Sequence, residues 1–325
     1  MPKVSIIVPN YNHAPFLTLR LDSIFNQTFR DFEVILLDDY SSDNSREIIE
    51  KYRNHPKVTH IIYNEINSGT SYKQWYKGIE YAKGELIWIA ESDDWCDERF
   101  LEAVVPHFQD NEVSIAFVNT LYVYPGDRID INPVLTGRFD KILGIDFIRD
   151  KMLIGNGIDN TSMTVFRRNQ YNKVKNNGFR ELKLCGDWLL WSQLMHRFKI
   201  VSVQDNLNYC RRHSANAAKR FTALGLDFIE GVRVLRIGKK LCNNQFDRKL
   251  IYSIWLDRFY RFRNKFSKGV LIKVFLNLLK YDPLMFSNFI FSFIYNITRT
   301  KIKILWKVIN EIHESNRIKT SKNHS

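Results

Sequence analysis

The first 120 residues alternate short β-rich runs with stretches of helical period, and this alternation constrains the fold more than any other feature of the chain. The β-rich runs contain few polar residues, as expected when helices cover both faces of a largely parallel sheet. The predicted strands are Val4–Val8, Glu33–Leu37, Val58–Tyr63, Leu86–Ala90, Ser114–Val118, Ser162–Arg167 and Ile200–Gln204. The predicted helices are Pro15–Asn26, Ser42–Arg53, Ser71–Lys83, Glu98–Gln109 and Gly186–Arg197.

The pattern of residues and the charge of the sequence both change near residue 220. Strand patterns stop there, and the sequence becomes helical, aromatic and basic. Residues 1–220 carry 28 basic and 28 acidic side chains, whereas residues 221–325 carry 20 basic and 7 acidic ones, which accounts for the whole formal charge of +13. We therefore predict an α/β domain over residues 1–220 and a basic, aromatic-rich helical region over residues 221–325.

Cysteine usage and apolar stretches predict the compartment. The four cysteines are widely spaced and complete neither a CxxC pair nor a zinc site with histidine, which favours reduced thiols. The first residues run directly into a strand-like segment, without the apolar stretch of a signal peptide. The longest apolar stretch, Leu284–Ile297, would span about 20 Å as a helix, less than the roughly 30 Å of a hydrocarbon core. We expect a cytoplasmic protein that can lie on the inner face of the cytoplasmic membrane without crossing it.

Carboxylates follow two of the first four strands, Asp38 and Asp39 after the second and Glu91–Asp94 after the fourth. Ligands of parallel sheets lie beyond the carboxyl ends of the strands, where like charges need a cation or hydrogen-bond donors. Mg²⁺ or Mn²⁺, shared with the phosphates of a nucleoside diphosphate, suits such a cluster. Alternatively, Asp38, Asp39 and Asp43 cap the next helix and Glu91–Asp94 is a solvated turn.

Several stretches, taken in order, resemble the inverting glycosyltransferases of family 2, which have the GT-A fold. The similarity is dense over residues 3–120 and sparse up to residue 220. The matching stretches are Val4–Asn12, Leu21–Thr28, Glu33–Asp43, Asn67–Gly69, Lys77–Ile79 and Ala82–Asp94. The resemblance implies a GT-A-like mixed, largely parallel sheet sandwiched by helices, with a helical C-terminal extension.

The same resemblance implies where a nucleotide sugar binds. Asp39 is expected to accept a hydrogen bond from the base, and Pro9 and Tyr11 to form the wall against which the base packs. Glu91 stands where the family usually has Asp, so one carboxylate arm is longer here. The other residues implied in donor binding are Asn67, Gly69, Lys73, Ser92, Asp94 and Arg212.

A metal ligand set and a catalytic base are also implied by the resemblance. Asp93 lies in the family's DxD position and is the expected metal ligand, with His213 as a second. Inverting transfer needs one carboxylate that takes the proton of the acceptor hydroxyl, and Asp187 in Cys185–Trp188 occupies that position. The alternative role for Asp187 is the N-cap of the following helix, and the two roles are compatible.

The basic region has two interpretations. Residues 258–310 interleave Lys and Arg with aromatic and aliphatic residues, which is typical of a basic amphipathic helix at an anionic membrane surface. Alternatively, this region is an ordinary helical subdomain that packs on the catalytic layer. Nucleic acid is disfavoured as a partner because no recognised binding module accompanies the charge.

Together these features predict a metal-dependent inverting glycosyltransferase of hexosyl or N-acetylhexosaminyl type. Its donor would be a nucleotide-diphosphate sugar, with UDP as the favoured nucleotide, and its acceptor a hydroxyl of a glycan or lipid-linked glycan in bacterial surface polysaccharide synthesis. The alternative is a non-catalytic GT-A-fold module that binds a nucleotide sugar or a glycan. A nucleotidyltransferase is disfavoured because the sequence lacks a Gly-rich phosphate loop with a basic residue.

Overall fold

The computed structural model describes residues 1–126, 136–176, 178–213, 221–222, 224–292 and 294–295. Contacts group Met1–Asp247 into one compact unit and the residues from Arg248 onward into a second. The helix Leu226–Leu241 falls in the first unit. The division near residue 220, drawn from charge and period, stays a prediction.

In the described part of the first unit, nine strands form one mixed sheet. They are β1 (Val4–Asn10), β2 (Phe32–Asp38), β3 (Val58–Tyr63), β4 (Leu86–Ile89), β5 (Trp95–Cys96), β6 (Val113–Val123), β7 (Phe139–Leu143), β8 (Thr164–Arg167) and β9 (Lys199–Arg211). The order is β3-β2-β1-β4-β8-β6-β9-β5, with β7 also paired to β9. Strands β3, β2, β1 and β4 are mutually parallel, whereas β8 is antiparallel to both its neighbours.

Helices follow most of the strands and continue into the second unit. They are α1 (Ala14–Phe25), α2 (Ser45–Glu50), α3 (Ser71–Tyr81), α4 (Phe100–Val104), α5 (Gly144–Phe147), α6 (Arg168–Val174), α7 (Gly186–Met195), α8 (Leu226–Leu241), α9 (Arg248–Phe262) and α10 (Lys268–Tyr281). Residues 283–292 are also helical. The predicted helical segment over 299–307 lies outside the described residues.

The parallel part of the sheet is the core that positions the site. Every residue of β1, β2 and β4 is buried. Strand β3 differs from the prediction of complete cover, since it is partly exposed along its length. It lies at the edge of the sheet and has only one neighbouring strand. Because β1, β2, β3 and β4 are parallel, their carboxyl ends meet at one edge of the sheet.

Several predicted elements have different bounds in the structure, and two of them show a physical cause. The helix expected over Glu98–Gln109 is α4 followed by a 3₁₀ segment from Val105, because Pro106 has no N–H to donate to the preceding turn. The strand expected over Ile200–Gln204 continues to Arg211. Polar residues interrupt its apolar run, but the buried amide nitrogen of Asn208 has a tertiary acceptor: Asn208 Nδ2 donates to Thr120 Oγ1 at 3.0 Å.

The second unit has its own aromatic contacts. The ring of Phe259 on α9 lies 5.6 Å from that of Phe275 on α10 and 5.3 Å from that of Phe289. The Tyr252 hydroxyl donates to Asp282 Oδ1 at 2.9 Å. None of the helices in the described ranges of either unit combines the length and the apolar character needed to cross a membrane.

Gly84 brings the chain close to β1 just before β4 begins. Its N–H donates to Ser5 Oγ at 2.8 Å, and Ser5 Oγ donates to Glu33 Oε1 at 2.6 Å. A Cβ on Gly84 would lie 2.6 Å from the Ser5 backbone nitrogen. This distance is too short for a van der Waals contact, so the two backbone segments would have to move apart. The pairing of β4 with β1, and so the position of Glu91–Asp94, depends on this close approach.

We predict that Gly84→Ala destabilises the fold by about 1–3 kcal/mol, because the added methyl group overlaps backbone atoms that cannot move independently. Urea unfolding measures the change. Gly269→Ala is the control, since a Cβ at Gly269 meets nothing within 4 Å. An unfolding midpoint for Gly84→Ala equal to that of the wild type would contradict the predicted overlap.

Candidate active site

Asp38 joins the loops that follow β1 and β2. Its Oδ1 accepts a hydrogen bond from Asn10 Nδ2 at 3.1 Å. Its Oδ2 accepts from the Ser41 N–H at 3.0 Å and from Arg46 Nε at 2.9 Å. The side chain is fully buried, so Arg46 balances a charge that water does not reach. Asp38 therefore links the end of β1 to the loop after β2.

Asp39 folds the loop after β3 onto the end of β2. Its Oδ1 accepts from Asn64 Nδ2 at 2.6 Å and from Gln74 Nε2 at 2.9 Å. Ser68 donates its N–H to Oδ1 at 2.9 Å and its hydroxyl to Oδ2 at 2.8 Å, and Asn67 Nδ2 donates to the Asp39 carbonyl at 3.1 Å. Its contact with a nucleotide base stays a prediction, and the carboxylate is already positioned by these bonds.

The other residues predicted to bind the nucleotide near these loops lie at or beyond the carboxyl ends of β1 and β3. Pro9 is buried within β1, and Tyr11 follows it with 47% of its surface exposed. Gly69 has a φ of +85°, which favours glycine, and its N–H donates to Asn67 Oδ1 at 2.8 Å. Lys73 is exposed in the first turn of α3.

Glu91 follows β4 in a buried setting. Its Oε1 accepts from Trp75 Nε1 at 2.7 Å, and its carbonyl accepts from Arg20 Nε at 3.1 Å. Burial, with the nearby charge of Asp93, raises the pKa of Glu91 to about 8. Trp75 is 2% exposed and belongs to the core. A contact of Glu91 with the donor stays a prediction.

Asp94 connects the end of β4 to the segments around β8 and β9. Its Oδ2 accepts from Asn160 Nδ2 at 2.9 Å and from Ser162 Oγ at 2.7 Å. Its Oδ1 accepts from the Arg211 N–H at 3.2 Å. Burial and the charge of Asp93 raise the pKa of Asp94 to about 6. The predicted donor contact of Asp94 is untested, and its hydrogen bonds give it a structural role.

Two imidazoles and one carboxylate form a cluster at this edge. One ligand atom each of His13, Asp93 and His213 lies within 4.8 Å of the others. His213 Nε2 is 3.0 Å from Asp93 Oδ2, and His13 Nδ1 is 2.8 Å from Ser92 Oγ. The structure thus brings together Asp93 and His213, the two predicted metal ligands, and adds His13.

The directions of the pKa shifts of His13 and Asp93 suit a divalent cation. Burial lowers the pKa of His13, which favours the neutral imidazole. Burial opposes ionisation of Asp93, but the hydrogen bond from His213 and the charges of both histidines outweigh it and lower the pKa of Asp93. Neutral imidazole and ionised carboxylate are the forms that bind metal ions, so these side chains fit the predicted group.

Two arginines lie at the end of the long strand β9, Arg211 as its last residue and Arg212 directly after it. The Arg211 guanidinium lies 4.4 Å from the ring centre of Phe16, and Arg211 Nε donates to the Asp93 carbonyl at 3.2 Å. The Arg212 guanidinium lies 4.3 Å from the ring centre of Tyr122. The sequence singled out Arg212, whereas Arg211 is the arginine that bonds to the acidic segment.

Asp187 lies in the first turn of α7, and the N-cap of that helix is Cys185. Asp187 Oδ1 accepts from the Trp188 N–H at 2.7 Å and from the Tyr72 hydroxyl at 3.3 Å. Its Oδ2 accepts from Asn156 Nδ2 at 2.8 Å. Burial raises the pKa of Asp187 to about 6, although these hydrogen bonds favour the ionised form. Such a carboxyl group can accept a proton near neutral pH.

Glu230 on α8 anchors the segment that leads into Asp187. Its carboxylate accepts three consecutive backbone N–H groups, from Lys183 at 2.9 Å, Leu184 at 2.9 Å and Cys185 at 3.0 Å. Glu230 is 9% exposed, so these charge-assisted bonds compensate a largely desolvated carboxylate. The start of α7 is therefore fixed by a residue far along the chain.

Four residues of this site were missed from the sequence. His13 lies three positions beyond the end of β1. A search that extended three residues beyond the end of this strand would have found it. Asn156 lies in a Gly-Asn-Gly segment that reads as an incomplete dinucleotide motif. Tyr72 and Glu230 carry no sequence signal, because their partners are distant in the chain and meet them only in the folded state.

Comparison with known proteins decides the family. The model of the family described as "Glycosyl transferase family 2" matches residues 5–174, more than half of the chain. The chain belongs to glycosyl transferase family 2. The match begins in β1 and ends at the last residue of α6, so it includes Asp39 and Glu91–Asp94.

Several bacterial proteins are similar to this family 2 protein. Glycosyltransferase GlyG of Streptococcus pneumoniae is 28% identical over 225 residues, 66% of this chain and 72% of that protein. An uncharacterized glycosyltransferase of Haemophilus influenzae is 24% identical over 319 residues, 96% of this chain and 98% of that protein. The poly(ribitol-phosphate) β-N-acetylglucosaminyltransferase TarS of Staphylococcus aureus is 33% identical over 122 residues, 36% of this chain but only 21% of TarS.

Solved structures resemble the fold of this family 2 protein. The structure of S. aureus TarS residues 1–349 with UDP-GlcNAc has a TM-score of 0.64 and 20% identity, covering 86% of this chain and 80% of that one. The mannosyltransferase PcManGT of Pyrobaculum calidifontis with GDP-Man and Mn²⁺ has a TM-score of 0.53 and 17% identity, covering 91% and 87%. These likenesses confirm the predicted GT-A-like fold.

We predict that Glu230→Gln loosens the entry to α7, because an amide nitrogen cannot accept the N–H groups of Leu184 and Cys185. An unpaired buried N–H costs about 1–3 kcal/mol. Hydrogen exchange should therefore lose protection at Lys183–Cys185, and urea unfolding should shift to lower concentration. Glu181→Gln is the control, since its exposed side chain pairs with Arg233 at 3.5 Å on the surface. Unchanged exchange in Glu230→Gln would contradict the anchoring role.

Proposed function

We propose that this protein is a metal-dependent inverting glycosyltransferase that moves a sugar from a nucleotide-diphosphate sugar to a hydroxyl of a glycan or lipid-linked glycan. The observation that carries this proposal is the combination, in one compact unit, of the His13–Asp93–His213 cluster with Asp187, whose pKa lies at about 6. A cation held by the cluster would offset the charge of the leaving diphosphate, and Asp187 would act as the general base.

The proposed donor is UDP-linked, and the proposed process is bacterial surface polysaccharide synthesis. In support, TarS structures hold UDP and UDP-GlcNAc, and curated relatives include enzymes named for poly(ribitol-phosphate) glycosyl transfer. Pro9, Tyr11, Asp39, Asn67 and Gly69 would hold the nucleotide. The remaining predicted donor contacts are Lys73, Glu91, Ser92, Asp94 and Arg212.

His13, Asp93 and His213 would hold the divalent cation. Two imidazole nitrogens beside one carboxylate favour Mn²⁺ over Mg²⁺, which prefers oxygen ligands. When bound, such a cation supplies positive charge that offsets the charge developing on the departing diphosphate. Arg211 adds a fixed positive charge beside the same segment through its bond to the Asp93 carbonyl.

Asp187 would take the proton from the acceptor hydroxyl as that oxygen attacks the anomeric carbon from the face opposite the diphosphate. Tyr72 and Asn156 each hold one carboxylate oxygen, which fixes the direction in which the carboxylate receives the proton. The buried Tyr72 hydroxyl has a pKa raised well above its ordinary value, so it stays protonated and acts as a donor. Positioning of this kind lowers the entropic part of the barrier.

The alternative, a non-catalytic module that binds a nucleotide sugar or a glycan, needs no base. The buried Asp187 argues against it, because desolvating a carboxyl group and orienting it with Tyr72 and Asn156 costs free energy that donor binding alone does not require. Transfer assays separate the two functions directly.

We predict that Mn²⁺ with uridine nucleotides raises the melting temperature, because a ligand that binds the native state stabilises it. A panel of nucleoside diphosphates and nucleotide sugars, each with Mn²⁺, Mg²⁺ or no metal, measures the effect. The shift should disappear in Asp93→Ala and shrink in His13→Ala, whereas His60→Ala, outside the cluster, should keep it. No shift with any nucleotide in the wild type would contradict the proposed function.

We predict that Asp187→Asn keeps donor binding but lowers transfer by about 10²–10⁴-fold, since an amide fills the same space without accepting the proton. In the wild type, transfer should rise with pH through about 6, where Asp187 ionises. Asp140→Asn, on the exposed strand β7, is the control for loss of a carboxylate. Full transfer by Asp187→Asn would remove the assigned base.

We also propose that the second unit contacts an anionic membrane surface. On α10, Ile272, Leu276 and Leu279 are 60%, 58% and 48% exposed at a spacing that places them on one face, and Lys273 and Lys280 are exposed beside them. The rest of the predicted surface, up to residue 310, lies largely outside the described residues.

We predict that the triple change Ile272→Ser, Leu276→Ser and Leu279→Ser weakens sedimentation with phosphatidylglycerol vesicles, because it removes the apolar face that would enter the interface. Phosphatidylcholine vesicles test the contribution of charge. Leu143→Ser, a comparably exposed position on β7 in the first unit, is the control. Unchanged binding of the triple variant would refute the membrane role of α10.

A further inference from the structure

A pocket of about 670 Å³ lies between the loop after β3 and the segment that precedes α7. One wall is the loop Ser68–Thr70 with Lys73 on α3, and the other is the segment 178–183 that leads into α7. A volume of this size holds a small organic ligand rather than a single ion. Among the described residues the lining contains no member of the His13–Asp93–His213 cluster, although Gly69 and Lys73 in it are also predicted donor contacts.

The side chains of this pocket are predominantly basic. Lys73, Arg180 and Lys183 line it, against a single carboxylate, Glu181. Glu181 is largely exposed and pairs with Arg233 at 3.5 Å. Within the described part of the chain, none of the three basic side chains forms an ion pair, and a local excess of positive charge remains.

Arg180 is held in place by an aromatic contact rather than by an acid. Its guanidinium carbon lies 3.8 Å from the ring centre of Tyr76, and its Nη2 lies 3.5 Å from Asn176 Oδ1. Stacking of this kind restricts the Arg180 side chain. It leaves N–H groups in the plane of the guanidinium free to donate to another acceptor. A planar fork of donors suits the oxygens of a phosphate or carboxylate.

Residues next to both walls of the pocket are connected to Asp187. Tyr72 precedes Lys73 on α3, and its hydroxyl donates to the Leu184 carbonyl at 2.7 Å and to Asp187 at 3.3 Å. Lys183 belongs to the segment that Glu230 fixes through backbone bonds. Tyr72 and the segment that precedes α7 therefore connect the pocket walls to the group that would receive the acceptor's proton.

We propose that this pocket binds a phosphate group of the acceptor, so that the acceptor is a phosphorylated polyol or sugar. This inference rests on the proposed function, because it takes Asp187 as the base that the acceptor hydroxyl must reach. A phosphate in the pocket would place the rest of the acceptor beside Asp187. The other source of phosphate is the donor diphosphate, for which the structure offers the separate His13–Asp93–His213 cluster.

The test is the double variant Arg180→Gln, Lys183→Gln, with Lys73 kept because it is also a predicted donor contact. The probe is sn-glycerol 3-phosphate, with glycerol as the neutral comparison, titrated into full-length protein and followed by NMR. We expect saturable binding of the phosphate but not of glycerol, and a loss of at least about tenfold in affinity in the double variant. UDP with Mn²⁺ should bind the double variant as it binds the wild type.

Matched variants separate a specific site from general charge. Lys51→Gln, Lys173→Gln changes the net charge equally at exposed lysines outside the pocket and should leave glycerol 3-phosphate binding unchanged. Arg180→Lys keeps the charge but loses the planar fork, and it should bind more weakly than the wild type.

Three results would overturn the proposal. The first is the absence of saturable glycerol 3-phosphate binding to the wild type, and the second is equal binding by the wild type and the double variant. The third is a loss of UDP affinity in the double variant, which would assign the pocket to the donor phosphates. Failure of the wild type to bind any nucleotide would instead count against the proposed function, and the glycerol 3-phosphate titration distinguishes that case.

Discussion

The rest of the site depends on how the repulsion among carboxylates at one edge of the sheet is compensated. Parallel pairing of β1 with β2 and β4 places Asp38 and Asp39 at the end of β2 and Glu91–Asp94 beyond β4, on either side of β1. Arg46 balances Asp38 directly, and the charge of buried Arg20 lowers the pKa values of Glu91 and Asp94, although burial raises both overall. The histidines beside Asp93 hold its pKa low, and this leaves one ionised carboxylate next to two nitrogen ligands.

The causes of the raised pKa of Asp187 differ from those of the acids at the sheet edge, where the charge of a neighbouring carboxylate adds to burial. Asp187 stands at the start of a helix, and burial rather than repulsion is the main cause of its raised pKa. Tyr72, Asn156 and the Trp188 N–H partly offset that burial, which keeps the pKa near 6 instead of higher. Glu230 fixes the backbone just before this helix, so the geometry of the proposed base depends on the contact of α8 with the segment that precedes α7.

Much of the α/β layer could be predicted because its signals are local. The runs around Val4–Val8 and Glu33–Leu37 are apolar enough to be read as buried strands, and β1 and β2 extend them by two residues or fewer at each end. Predictions failed where a distant partner or a backbone restriction intervened. Pro106 ends α4 early, and β9 continues through Asn208, whose amide nitrogen donates to Thr120 and Asn160.

The sequence by itself determined the α/β class, the family resemblance and the carboxylates that follow β2 and β4, because residue type and spacing along one strand or helix carry these features. Tertiary structure alone decided that His13 joins Asp93 and His213, that Tyr72 and Asn156 orient Asp187, and that Arg180 faces a pocket with Lys73. These groups are far apart in the chain. No local pattern records their approach, since it is the packing of strands and helices that brings them within hydrogen-bond or ligand distance.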